Sequence, residues 1–344
     1  MKLFTCDHCR QTLYFENSRC IQCNAQLVYH PGRAQLATLA PGERLCRNGV
    51  ERDACNWLAH RDGDYCESCA LSERIPDLSD PANERAWRRI EAAKRRLLYT
   101  LHALKLPVES REMRPDGGIT FHFLKGTDAA PVMTGHDAGV ITLNVDEADS
   151  AFRENMREKM GEGYRTVLGH LRHEIGHYYW DRLIADTRWH TPFRQKFGDE
   201  RMSYEDAITR HYDHGPPADW VEKHVSAYAS MHPWEDWAET WAHYLHMIDT
   251  LETARSHGLT VREPAGEHAG ARVVTDRLAF SDFESLSSGW NAVTLALNSL
   301  NRSMGVEDAY PFVLSPAVLE KLRFVHELVL APRRESTAPA GKVA

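Results

Sequence analysis

The sequence predicts an α-rich α+β domain behind a small cysteine-rich module, and three observations support this. All eight cysteines lie between Cys6 and Cys69. Later segments repeat apolar residues at spacings of three and four, as amphipathic helices do. Two short segments, Ile119–Leu124 and Val140–Val145, alternate as strands do.

Length and composition agree with this reading. A chain of 344 residues suits one large domain plus a small one, and 42% hydrophobic with 26% charged residues is ordinary for a globular protein. A net charge of −8 argues against a general binder of nucleic acid or anionic membranes. No segment approaches the roughly 18 apolar residues of a membrane span. The stretch Met1 to Cys6 shows no apolar signal region, so a cytoplasmic location is expected. In that compartment paired cysteines are metal ligands rather than disulfides.

The first module is expected over residues 1–75. Cys6-x2-Cys9 and Cys20-x2-Cys23 are two knuckles ten residues apart, a zinc-ribbon spacing, with Leu13-Tyr14-Phe15 between them as a ribbon strand. Cys46, Cys55, Cys66 and Cys69 form a second set in which only the last pair is a knuckle. Eight cysteines fit two four-thiolate zinc sites, paired sequentially or as an interleaved cross-brace. Such sites are coordinatively closed, so their zinc would be structural and would help a small segment to fold. Ribbons of this kind contact proteins or nucleic acid. The arginines here are scattered among acids, which favours a protein contact.

Residues 76–331 are expected to form the main domain, entered through the proline-bearing stretch Ile75–Pro81. A helix is predicted from Asn83 to before Pro107, then the two strands with turn signals from Gly135 to Gly139, the second strand, Val140–Val145, being expected along the cleft edge where a peptide can add. Further helices are predicted over 164–183, 219–230, 233–253, 287–304 and 315–330, with a polar loop of short helical pieces over 191–217. The tail 332–344 has a disordered composition.

The helix over 164–183 contains His173-Glu174-Ile175-Gly176-His177. Residues four apart share a helix face, so both imidazoles can reach one ion, and Glu174 lies about 100° round from His173. Zinc lowers the pKa of a bound water towards about 7, and Glu174 would take the proton as that water attacks a carbonyl. The apolar flanks of this helix argue against an exposed helix carrying the motif by chance. Gly176 costs about 1 kcal/mol in helix propensity, which suits a close approach. His170, seven residues before His177 on nearly the same face, is an alternative ligand but reads first as a packing or supporting residue.

A catalytic zinc needs three protein ligands and an open position. Trp180 and Leu183 stand where the metzincin pattern needs glycine and histidine, so the third ligand lies elsewhere. The best candidate helix begins at Pro233, where Glu235 and Glu239 share a face among three tryptophans. One glutamate would ligate and the other would accept the second ring N–H of a ligand histidine; either assignment fits. Asp236, His211, His214, His224, His232, His243 and His246 are weaker candidates. Tyr228, seven residues before Glu235, reads as a packing residue or as a donor to an oxyanion.

Taken together, several motifs resemble the bacterial zinc-binding metallopeptidases that have an N-terminal zinc-ribbon domain. They are the cysteine series with Cys55-Asn56-Trp57-Leu58, Ile75-Pro76-Asp77-Leu78-Ser79, Ala93-Lys94-Arg95-Arg96-Leu97-Leu98-Tyr99, Tyr164-Arg165-Thr166, Gly169 to Trp180, Ser226 to Ser230 and Trp234 to His246. The resemblance covers nearly the whole chain and implies a zincin-like fold acting on a peptide or protein substrate. More distantly the arrangement is similar to gluzincins of the anthrax lethal factor type. That likeness implies Glu235 as ligand, Glu239 as support for a ligand histidine and Tyr228 as transition-state donor. The competing reading is a non-catalytic adaptor that binds a partner through the ribbon.

Overall fold

The computed structural model describes residues 1–60, 65–127, 129–150, 152–153, 166–262, 271–273 and 282–331. In the cysteine module, β1 (Phe4–Thr5) pairs with β2 (Thr12–Leu13) around the first knuckle, and β3 (Leu27–His30) pairs with β4 (Gln35–Thr38). Arg10 and Asn24, each just after a knuckle, adopt left-handed φ values of 67° and 58°. Short helices α1 (Arg47–Arg52) and α2 (Glu67–Ala70) follow Cys46 and Cys66. Tyr14 stays outside the strand and is exposed, whereas Phe15 turns inward.

Segregation of the cysteines predicts a separate module ending at residue 75. In the structure this module packs directly against the main domain. Its last strand, β5 (Ser72–Arg74), pairs in parallel with β6 (Thr120–Leu124) as the outer strand of the main sheet. Phe15 and Tyr29 pack against Tyr99 of α3 (Pro81–Ala103), with Phe15 and Tyr99 ring centroids 5.3 Å apart, and Trp57 packs against His102 of the same helix. Asp80 caps α3, accepting from the Ala82 N–H at 2.8 Å, and Pro81 occupies its first turn.

The sheet order is β5-β6-β8-β7, with β7 spanning Gly135–Asp137 and β8 Val140–Asn144. The strands β6 and β8 are parallel, and β7 returns antiparallel to β8. Sequence reading makes Gly135–Gly139 a turn and β8 the cleft-edge strand. The structure corrects both, because the turn needs only Ala138 and Gly139, at φ 44° and 84°. A two-residue hairpin loop with both φ positive matches strand twist, which frees residues 135–137 to pair as the edge. A Cβ on Gly139 would also meet the Gly118 carbonyl at 2.5 Å.

The helical layer is built on α4 (Val167–Leu183), α5 (His190–Phe197), α6 (Tyr204–His214), α7 (Trp220–Lys223), α8 (Pro233–Ser256), α9 (Phe283–Ser303) and α10 (Pro316–Leu330). A small hairpin, β9 (Thr260–Arg262) with β10 (Ala271–Val273), stands before α9. The expected start of α4 at 164 lies outside the described residues, as does the tail 332–344. The helix α9 begins four residues earlier than its apolar period suggests, because Asp282 caps it by accepting from the Ser285 N–H.

One predicted helix is absent. Residues 219–230 form only the single turn α7, an extended residue at His224, and a 3₁₀ turn over Tyr228–Ser230. The cause is tertiary. Lys321 of α10 donates to the Lys223 carbonyl at 2.6 Å, ending α7 there, and the His224 ring lies 3.1 Å from buried Asp236. That break directs Ser226 and Tyr228 towards α4.

The helices α4 and α8 cross at Gly176. A Cβ on Gly176 would meet the Ala238 Cα at 3.1 Å and the Trp241 Cβ at 3.3 Å, and Trp237 donates to the Gly176 carbonyl at 2.8 Å. Gly176→Ala is therefore expected to destabilise the fold. Overpacking costs about 1–3 kcal/mol, offset by up to about 1 kcal/mol of helix propensity. An unchanged melting temperature in the variant would mean that the crossing is looser than these distances imply.

Candidate active site

The Thr166 hydroxyl caps α4, accepting from the Gly169 N–H at 2.9 Å, and the helix lines a cavity with His173 and Glu174 while burying His177 behind them. Across the Gly176 crossing, α8 presents Glu235 and Glu239. Its start is set by Pro233 and by His232, whose Nδ1 accepts from the Trp234 N–H at 3.1 Å.

His173 Nδ1 donates to Glu239 Oε1 at 2.7 Å, and Ser226 Oγ donates to Glu239 Oε2 at 2.7 Å. Burial opposes ionisation of Glu239, yet the hydrogen bonds from His173 and the Ser226 hydroxyl hold it down at about 2. With its Nδ1 proton engaged by Glu239, His173 can offer only Nε2 to a metal, and that nitrogen must be free of its proton to do so. That atom lies 3.2 Å from His177 Nε2 and 3.0 Å from Glu235 Oε2, and His177 Nε2 lies 3.6 Å from Glu235 Oε1.

With both Nε2 atoms free of protons these buried atoms are mutual acceptors, a costly arrangement unless positive charge sits among them. Their separations suit a shared ion. Tetrahedral ligands at zinc bond lengths of about 2.0–2.1 Å stand roughly 3.3 Å apart. His173, His177 and Glu235 thus fit a three-ligand metal group.

Glu174 lines a cavity of about 960 Å³ together with His173, Tyr204, Tyr228 and Glu239. Burial pushes its carboxyl up, against the pull of His173 and His177. Tyr228 begins the 3₁₀ turn, its ring centroid 6.0 Å from that of His173. Burial and the Glu235 carboxylate push its phenol well above the usual range, so it remains a hydrogen-bond donor at neutral pH.

His170 pairs with Glu147 and stays outside the metal group. Asp236 pairs with Lys321 at 2.6 Å, His243 hydrogen-bonds Tyr310 at 2.7 Å, and His232 caps α8. His211 meets Tyr228 edge-on, and neither His214 nor His246 joins the metal group. Several contributors escape sequence reading. Trp234 packs over His177 with centroids 4.2 Å apart, and His136 of β7 stacks on His177 at 6.2 Å. Burial, with His177 beside it, pushes His136 down to about 4, keeping it neutral. Tyr204 donates to Glu235 Oε1 at 2.9 Å. Ser203-x-x-Asp206 is a legible helix-start signal for α6, but nothing local says where Tyr204 points.

The eight cysteines gather into two groups, Cys6, Cys9, Cys20 and Cys23, and Cys46, Cys55, Cys66 and Cys69, with no disulfide. Sulfurs of Cys6 and Cys23 are 3.7 Å apart, those of Cys9 and Cys20 3.5 Å, and those of Cys55 and Cys66 3.7 Å. Tetrahedral thiolates at Zn–S of about 2.3 Å would stand roughly 3.8 Å apart, so both groups fit zinc. Grouping follows chain order and is not interleaved. Beside the second group, Arg95 of α3 is buried. Burial opposes its charge, but Cys55, Glu91, Cys69 and Cys66 hold it firmly charged, and fully buried Lys94 lies 3.0 Å from Glu91.

Residues 83–328 match the family described as "Putative zinc-binding metallo-peptidase", and residues 3–80 match a zinc-ribbon domain. The chain belongs to the zinc-binding metallo-peptidase family. It is 45% identical over 336 residues to uncharacterized proteins of Mycobacterium tuberculosis and Mycobacterium bovis, covering 96% of this chain and 95% of each relative. No solved structure is significantly similar to it. This metallo-peptidase family member places the family's zinc-ribbon and peptidase regions in one packed unit, and no helix among its described residues is long and apolar enough to cross a membrane.

Proposed function

We propose that this chain hydrolyses peptide bonds, with His173, His177 and Glu235 holding one catalytic zinc and the two cysteine groups holding two structural zincs. The observation behind this reading is the convergence of three buried acceptor atoms, from His173, His177 and Glu235, at a cavity that His173 and Glu174 line. Zinc bound there would supply Lewis acidity, polarising the scissile carbonyl and acidifying water. Glu174 takes the proton of the attacking water and delivers it to the leaving amine as the C–N bond breaks. Tyr228 donates to the oxyanion as it develops on the former carbonyl. Glu239 keeps His173 in the tautomer that offers Nε2, with Ser226 holding Glu239 in turn. The outer edge of β7, unpaired among the described residues and next to His177 through His136, suits a peptide adding as a further strand. We assign this activity to the cytoplasm, where eight reduced thiols stay available for metal.

Metal analysis tests the reading. Three zincs per chain are expected in the wild type and two in His173→Ala, with the fold retained. A wild type that binds only two would remove the active-site assignment.

A further inference from the structure

We propose that Tyr204 is a positioning residue that presents Glu235 to the metal through one oxygen only, and so keeps a coordination position open for water and substrate. The inference rests on the ligand set proposed above. Tyr204 is the first residue of α6, and its ring is held edge-on between His232, at 5.4 Å, and Trp234, at 6.5 Å. His232 caps α8 and Trp234, in its first turn, packs over His177, so the phenol is tied to the same elements as the ligands.

The two oxygens of Glu235 have different surroundings. Oε1 accepts the Tyr204 hydroxyl at 2.9 Å. Oε2 is buried without a hydrogen-bond partner and lies 3.0 Å from His173 Nε2. A carboxylate can bind a metal through one oxygen or both, and a second Glu235 oxygen would fill the position that water needs. A phenol donor on Oε1 draws electron density from that oxygen and stops the carboxylate from rotating, which leaves Oε2 as the single ligand atom. The Tyr204 hydroxyl also lies beside the Tyr228 phenol, so one residue aligns both the third ligand and the oxyanion donor.

Tyr204→Phe removes only the hydroxyl and provides the test, made on the full chain. The exchangeable metal is stripped and replaced by cobalt while the thiolate sites keep zinc, and zinc affinity is measured by chelator competition. Expected results are zinc affinity about 10- to 100-fold weaker, a visible cobalt spectrum shifted to the weaker bands of a higher coordination number, and a fall in kcat with KM little changed. Wild-type affinity with an unchanged cobalt spectrum would overturn the role of Tyr204 and leave the ligand set standing. A variant whose metal-stripped form melts lower than the metal-stripped wild type would mark a structural role and overturn it too. A wild type lacking the third metal would remove the ligand set, and this proposal with it.

Discussion

Glu174→Gln is expected to lower peptide-bond hydrolysis by about 10²- to 10⁴-fold, the usual contribution of a positioned general base. Glutamine keeps the size of the side chain and loses the ability to take a proton. Glu174 is not among the atoms of the metal group and its carboxyl lines the cavity. Zinc content and melting temperature should therefore match the wild type. The measurement is a proteome-wide cleavage profile of the two folded, metal-loaded proteins. Identical profiles would favour an adaptor that uses the ribbon to bind a partner, and would remove catalysis from this site.

Cys66→Ser is expected to have the largest effect on stability. Cys66 is fully buried, its sulfur accepts from the Cys69 N–H, and it stands 3.7 Å from the Cys55 sulfur. Structural zinc contributes on the order of 10–16 kcal/mol in small zinc domains, comparable with the roughly 5–15 kcal/mol total stability of a typical protein. Loss of one zinc should therefore unfold the module. The damage should spread, because β5 pairs with β6 and because the buried cations Lys94 and Arg95 of α3 would lose the thiolate charge they face. Thermal melting should show the main transition falling together with the module, and limited proteolysis should cut in the first 80 residues. A variant with one zinc fewer and an unchanged main transition would show that the two parts fold independently.

Residues whose roles depend on local spacing were legible. Periodicities of 3.6 and 2 marked α3, α4, α8 and the strands β6 and β8, and the Asp80 cap and the first-turn Pro233 are local signals too. Sequence reading failed where a distant side chain decides the backbone. The helix expected over 219–230 is broken by Lys321, about a hundred residues away in the chain. The edge strand β7 was hidden in what reads as a turn, since three residues give too short an alternation to detect. Tyr204 gave no signal, because a tyrosine at a helix start has the same spacing whether it faces solvent or a buried carboxylate.

The sequence by itself determined the chemistry available here. Residues His173, Glu174 and His177 meet on one helix face because the helix repeats every 3.6 residues, and two cysteine knuckles chelate because three-residue spacing closes a tight turn. Only the tertiary structure decided how those groups are used. The Gly176 crossing brings α8 within reach of α4 and puts Glu235 at the imidazole Nε2 atoms and Glu239 at Nδ1. Those two glutamates are equivalent on the helix face, so nothing local distinguishes them. Their difference arises from the angle and depth of helix packing, which is set by side chains far apart in the chain.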